Sequence, residues 1–294
     1  MTHYDAIVVG GGGQSGLAAA HHLRRQRLDT AIVEAGSEPV GSWPQYYDSL
    51  TLFSPAKYSS LPGLPFGGDG DRYPGRDEVV DYLRRYAKTL DVDFHVNERA
   101  DTVTTSEGQF TVRTDSGSIF TAPPRIIAAT GGFGTPPHIP ALKGLDAFTG
   151  TVVHAADYRE PTTYTGQNVI VVGAGNSAVQ IAAELAETAD VILASRKPVT
   201  FAPQRPLRRD MHFWFKYTGI DTLPIGISSR GHRRRRCSTP AATAPRSPPT
   251  HRNAAPCSPN SKETKPSGPA APQQPSTRSS SPPDTPPTWT TSQN

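Results

Sequence analysis

A chain of 294 residues with 35% hydrophobic content is long enough for one large or two ordinary domains and has enough apolar residues for a soluble fold. Its net charge of +4 is unevenly placed. Ten Lys and Arg but only two acids, Glu263 and Asp284, lie beyond Ser228, so the rest is mildly acidic and no folded basic face for nucleic acid is expected. Both cysteines, Cys237 and Cys257, fall in that same last stretch, which excludes a disulfide framework or thiolate zinc site from the remainder. No apolar run approaches the roughly 20 residues of a membrane span, and the start lacks the basic and small-residue features of a leader. The expectation is a cytoplasmic protein with no membrane partner.

In chain order, Asp5 to Gly10 reads as a buried strand, Ser15 to about Arg27 as a helix and Thr30 to Ala35 as a second strand. Strand, Gly-rich turn, helix and strand within about 30 residues make a βαβ unit and imply a parallel sheet. Gly41 to Gly70, rich in Gly, Pro, Ser and Tyr, is predicted as an irregular loop over a binding surface. Asp77 to Leu90 carries apolar residues at helical spacing, Val92 to Val96 is a strand, and Gln109 to Arg113 with Ser118 to Ala122 form a hairpin. Ile126 to Gly131 is a buried strand ending in glycine. The opening pattern then returns: strand Asn168 to Gly173, helix Ser177 to about Thr188, strand Val191 to Ser195.

The chemistry sits in the two turns. In Gly11-x-Gly13-x-x-Gly16 the first glycine permits a tight turn, the second lets backbone approach a pyrophosphate, and the third lets helix meet strand. Free N–H groups at the helix start suit phosphates, and Glu34, closing the next strand, suits an adenosine ribose. The second unit reads Gly173-x-Gly175-x-x-Ala178, with Asn176 and Ser177 opening its helix. It has no acid at the place of Glu34; Ser195-Arg196-Lys197 stands there, which suits the extra phosphate of NADP. One site for FAD and one for NADPH is the joint reading.

Three further segments extend this pattern. They are Phe148-x-Gly150-x-x-x-His154-x-x-x-Tyr158-Arg159, Gly41-Ser42-Trp43 with Tyr47-Asp48-Ser49-Leu50, and Ala129-Thr130-Gly131 with Pro136. With them the chain, over about residues 4 to 225, resembles the flavin-dependent monooxygenases with two dinucleotide-binding domains. That group includes flavin-containing monooxygenases and Baeyer–Villiger enzymes. The resemblance implies that the first segment links the two domains, that Trp43 belongs to a loop covering the flavin, and that Thr130 and Gly131 end a domain-crossing strand. It also implies hydride transfer from NADPH to FAD, reaction of the reduced flavin with oxygen, and delivery of one oxygen atom to a small, soft nucleophile.

Departures refine the likeness. Baeyer–Villiger enzymes favour Thr after the histidine and Trp at the place of Tyr158, whereas this chain has Ala155 and Tyr158. That favours attack on nitrogen, sulfur or a carbon acid. Phe53 stands about where animal flavin monooxygenases carry an asparagine, so the loop is more similar to plant YUCCA-type enzymes and no catalytic residue is carried over. His154 is expected to hold the linker. His21, His22, His95, His138 and His212 have no metal-ligand spacing, and Lys57 is read as an ordinary surface cation.

The expected fold class is α/β: a three-layer, Rossmann-like FAD-binding domain (1–160), an inserted and incomplete NADP-binding Rossmann domain (161–226), and a tail (227–294). From Ser228 onward there is no Leu, Ile, Val or Phe, so the tail is expected to be disordered. A coding shift near Pro224 to Ser228 is the expected cause, with activity impaired. Two other readings stay open. One is an NADPH-dependent flavin oxidoreductase without oxygen insertion; the other is a non-catalytic nucleotide-binding fragment whose basic run, Arg233 to Arg236, serves as an arm. A disulfide reductase is disfavoured because residues 1–227 contain no Cys.

Overall fold

A computed structural model describes residues 1–132, 137–220 and 222, together with the backbone of 288–291. The first half holds β1 (Thr2–His3), β2 (Ala6–Val9), α1 (Gln14–Arg25), β3 (Thr30–Val33), α2 (Arg76–Ala87) and β4 (Asp93–His95). It continues with β5 (Ala100–Ser106), β6 (Gln109–Thr114), β7 (Ile119–Ala122) and β8 (Ile126–Ala128). There follow β9 (Val152–His154), β10 (Asn168–Val172), α3 (Asn176–Leu185), β11 (Asp190–Ala194), α4 (Met211–Thr218) and β12 (Thr288–Thr291).

The first unit is three layers. Its central sheet runs β4-β3-β2-β8, all parallel. Successive side chains of a strand point to opposite faces. Val8 and Ile32 therefore join α1 and α2 in one core with Leu17, Leu83 and Tyr86, while Ile7, Val9, Ala31 and Val33 join Val112 and Phe120 on the other side. The third layer is the sheet β1-β7-β6-β5, antiparallel except where β1 runs with β7. α2 matches its macrodipole, with Asp77 and Glu78 in the first turn and Arg84 and Arg85 in the last.

The hairpin of β6 and β7 and both βαβ units lie where the sequence pattern puts them, with ends that differ by at most three residues in either direction. β5 is an addition. Its Ala-Asp-Thr-Val-Thr-Thr-Ser sequence is almost wholly exposed, so no apolar alternation marked it as a strand. β9 and α4 were also unmarked, the first because it is three residues long.

The second unit has the order β11-β10-β12-β9, again all parallel. Its core gathers Val169, Val171, Ala178, Ile181 and Leu185. Two points differ from the sequence expectation. Val152–His154 contributes to this second sheet although it precedes residue 160, and Thr288–Thr291, expected within a structureless tail, is a strand between β10 and β9. The physical reason is that two parallel edges one strand apart leave backbone donors and acceptors that any extended segment can satisfy. The remainder of the tail, with Arg233 to Arg236 and the expected coding shift, lies outside the described residues, as does Pro136.

Candidate functional site

The turn between β2 and α1 is packed from beneath. A Cβ added at Gly16 would sit 2.3 Å from the Gly11 Cα, and one at Gly11 would sit 2.8 Å from the Ile32 side chain. These two glycines are therefore demanded by the contact of helix with sheet. Gly13 differs: its nearest neighbour would be the Gly41 Cα at 3.9 Å, so space lies above it. Gly13 is the N-cap of α1 with no side-chain cap, and the first turn carries no acid, so the free N–H groups there face an unclaimed electropositive end.

Glu34 is buried, 7% exposed, directly after β3. Its Oε2 accepts from the Gly12 N–H at 2.8 Å and its Oε1 from the Gly36 N–H at 2.9 Å. Each carboxylate oxygen keeps a further lone-pair direction for a hydroxyl. The pattern of alternate glycines left Gly12 unassigned, yet a Cβ there would meet Glu34 Oε2 at 2.6 Å. Gly10 was missed in the same way. Its φ is +67°, and an added Cβ would lie 2.6 Å from the Thr130 Cα. That contact places Thr130 and Gly131, which follow β8, at the mouth of the turn. Gly41, with φ +58°, presses on Gly13 and brings Trp43 over α1, where its Nε1 donates to Gln14 Oε1 at 2.7 Å. Gln14, Trp43, Leu52, Ser54 and Tyr58 share a cleft of about 250 Å³.

The second turn repeats the backbone with different chemistry. Gly173 has φ +151°, favoured by glycine, and its N–H donates to the Ala194 carbonyl at 2.9 Å. Gly175 is the N-cap of α3, also without a side-chain cap, and Asn176 and Ser177 form the first turn, which holds no acid. Ala178 is wholly buried at the third small position. Arg196 and Lys197 are exposed beyond β11, where Ser195 Oγ donates to the Lys197 carbonyl at 2.6 Å. The structure thus brings together Gly11, Gly13, Gly16, Glu34, Trp43, Thr130 and Gly131 at the first turn and Gly173, Gly175, Asn176 and Ser177 at the second, with Arg196 and Lys197 exposed after the neighbouring strand β11.

The two units are clasped by the linking segment and the covering loop. The Asp48 N–H donates to the Arg159 carbonyl at 2.9 Å, and the Arg159 guanidinium donates to the carbonyls of Ala156 and Gln45. Tyr47 donates to Gln180 on α3 at 2.8 Å, and the fully buried Tyr158 donates to Glu184 at 2.8 Å. Burial first, and the Glu184 carboxylate second, push the Tyr158 phenol far up, so it is a fixed donor. His154 Nδ1 accepts from the Ala156 N–H at 3.0 Å, which leaves the ring proton on Nε2.

A second clasp was not visible in the sequence. Asp210, the N-cap of α4, accepts from Tyr73 at 2.5 Å, from Gln204 Nε2 at 2.8 Å, and from the backbone and Nδ1 of His212 at 2.8 Å each. Burial alone would raise its carboxyl, but these donors outweigh it and hold the group below the usual carboxylate value. Gln204 also donates to the Phe53 carbonyl, and the His212 ring stacks on Phe53 and Tyr58. Elsewhere, His95 bonds Tyr4, and Lys57 pairs with Asp71. Among the described residues no cluster of ligands for a metal is present, and no helix is long and apolar enough to cross a membrane.

The sequence profile of the pyridine nucleotide-disulphide oxidoreductase family matches residues 7–214, more than half of the chain and both glycine turns. The chain belongs to that family. It is 34% identical to the uncharacterized oxidoreductase CzcO-like of Geobacillus kaustophilus, over 78% of this chain and 65% of the relative. It is 30% identical to indole-3-pyruvate monooxygenase YUCCA1 of Oryza sativa, over 63% of this chain and 46% of that one. The solved flavin-containing monooxygenase from Stenotrophomonas maltophilia superposes with a TM-score of 0.67 at 34% identity, covering 74% of this chain and 64% of that chain. The likeness read from the two glycine turns and the linking segment is thus borne out, and within the family the chain is similar to flavin monooxygenases. It spans about two-thirds or less of the length of these relatives.

Proposed function

We propose that this chain forms the nucleotide-binding part of an FAD- and NADPH-dependent monooxygenase acting on a small nucleophilic organic substrate. The observation that carries the reading is the pair of uncapped helix starts on one clasped scaffold, the first beside a buried carboxylate and the second beside an exposed Arg–Lys pair. The residues fit the groups. Gly13 and the α1 N-terminus leave room for a pyrophosphate, Glu34 retains lone pairs for ribose hydroxyls, and Trp43, Thr130 and Gly131 rim the same turn. Gly173, Gly175, Asn176 and Ser177 would take the second pyrophosphate, and Arg196 with Lys197 a 2′-phosphate. When bound, the flavin and nicotinamide supply the redox chemistry and activation of oxygen. The chain's own part is to orient: Arg159, Tyr47 and Tyr158 fix one unit against the other, and Trp43 covers the first turn.

Gly13→Ala tests the first site without disturbing the fold, because the new Cβ meets nothing nearer than 3.9 Å. It should keep the unfolding midpoint of the flavin-free parent and lose flavin, measured by bound flavin absorbance; full retention of flavin contradicts the FAD reading. Product analysis under labelled oxygen then separates oxygen transfer from plain NADPH oxidation, the reading kept as the alternative.

A further inference from the structure

Asp210 and His212 form a pair that the cofactor reading leaves without a task. Both oxygens of the Asp210 carboxylate are occupied: Tyr73 and Gln204 donate to Oδ2, and the His212 backbone N–H and ring Nδ1 to Oδ1. The Asp210 side chain is 5% exposed, so it cannot turn without stranding these donors. With a carboxylate fixed on Nδ1, the neutral imidazole carries its proton there and presents an unprotonated Nε2. That nitrogen bonds no described residue and is not sealed from solvent. A ring oriented by a buried carboxylate, with its second nitrogen free, is an arrangement that accepts a proton.

The ring stands beside the cleft of the first unit. It stacks on Phe53 at 5.8 Å and on Tyr58 at 6.2 Å between centroids, and Tyr58 lines the cleft with Trp43 and Gln14. The surroundings are cationic. The Lys57 and Lys216 ammonium groups lie 5.3 and 5.9 Å from the Tyr58 ring centre. Lys57 is paired with Asp71, whereas Lys216 pairs with no carboxylate among the described residues. Arg205 lies over Tyr73 and Arg209 over Phe213. Such a setting repels a ligand that arrives as an ammonium ion and stabilises one that becomes an anion on giving up its proton. Aromatic rings flanked by cations suit sulfur, which is polarisable against a ring and ionises to thiolate beside positive charge.

We propose that His212 Nε2 is the proton acceptor for a thiol seated against Phe53 and Tyr58, and that Asp210 is the positioning residue that holds the ring for it. The S–H bond breaks, its electron pair stays on sulfur as the thiolate, and the proton goes to Nε2. The resulting imidazolium stands between the Asp210 carboxylate and the new anion. No oxidant or reductant enters the step. Transfer depends on the ligand, because a charged ring by itself would stand close to Lys57 and Lys216 with Asp210 alone to offset them. The thiolate supplies the second opposite charge. As a way of activating a substrate the step rests on the oxygen-transfer reading, since the thiolate is the stronger nucleophile; the proton transfer itself needs neither flavin nor NADPH.

The test uses the full chain with isotope-labelled histidine and no added cofactor, and reads the imidazole nitrogens by NMR at mildly alkaline pH. The His212 signals are assigned by their loss in His212→Gln. The free chain should show a neutral ring with its proton on Nδ1. Benzyl mercaptan should convert it to the doubly protonated form, while benzyl methyl sulfide, which has the same aromatic group but no S–H, should leave it neutral. Asp210→Asn should need about tenfold more thiol or more for the same conversion, the loss of one charge-assisted bond. If Asp210→Asn fails to fold, the contrast between thiol and sulfide in the parent decides alone. A free ring with its proton on Nε2, a ring that stays neutral with thiol, equal protonation by the sulfide, or a folded Asp210→Asn that responds as the parent does each overturns the proposal. None of these outcomes depends on whether flavin binds, which flavin absorbance reads separately.

Discussion

The turns that open α1 and α3 share a backbone but differ at their third small residue. Gly16 lies so close to Gly11 that no Cβ fits, whereas Ala178 buries its methyl among Val169, Val171 and Ile181. That residue is therefore set by how nearly each helix approaches its strand, and not by the ligand. What the ligand would read differs elsewhere: the first unit ends its second strand in a carboxylate buried under two backbone N–H groups, the second in two exposed cations. Packing separates the units at one position and charge at another.

The largest expected effect breaks the packing half of that comparison. Gly16→Ala drives a methyl into backbone that cannot move aside, and should cost about 3 kcal/mol or more, at the upper end of overpacking effects. Denaturant unfolding measures it, and a variant as stable as its parent would show that α1 can retreat. Next, Arg196→Ala should weaken NADPH binding by roughly 1.5 to 3 kcal/mol, about 10- to 150-fold, and NADH far less. Equal losses in a titration with both nucleotides would remove the charge half. Ala178→Gly is smaller, about 1.5 to 2 kcal/mol, since it adds helix flexibility and removes one buried methyl. A cost as large as that of Gly16→Ala would mean the two third positions are under the same constraint.

The smallest effect concerns the second clasp. Asp210 has its folded pKa below the ordinary carboxylate value, so its contribution to stability is complete above about pH 4. It is lost as pH falls through the lowered folded value. Unfolding midpoints followed from neutral pH to acid should decline less steeply below about pH 4 in Asp210→Asn than in the parent. Identical slopes would mean that Tyr73, Gln204 and His212 do not hold the carboxylate charged.

Sequence legibility followed burial. β2, β3, β10 and β11 declare themselves by runs of apolar residues, and the turns by glycine at fixed offsets, so both βαβ units were readable. β5 was not, because an exposed edge strand of Asp, Thr and Ser carries no period. Nor was β12, whose four residues are placed by two waiting edges and not by their own preference.

By itself, then, the sequence determined the two βαβ units, their order, and the opposite charges of Glu34 and the Arg196–Lys197 pair, since each follows from short-range spacing. Only the tertiary structure decided that Gly10 meets Thr130, that Gly12 makes room for Glu34, and that Asp210 gathers Tyr73 from 137 positions away. The reason is physical. Strand and turn propensities act over a few residues, whereas close backbone approach and burial of a charge depend on which distant segments the packed core brings into contact.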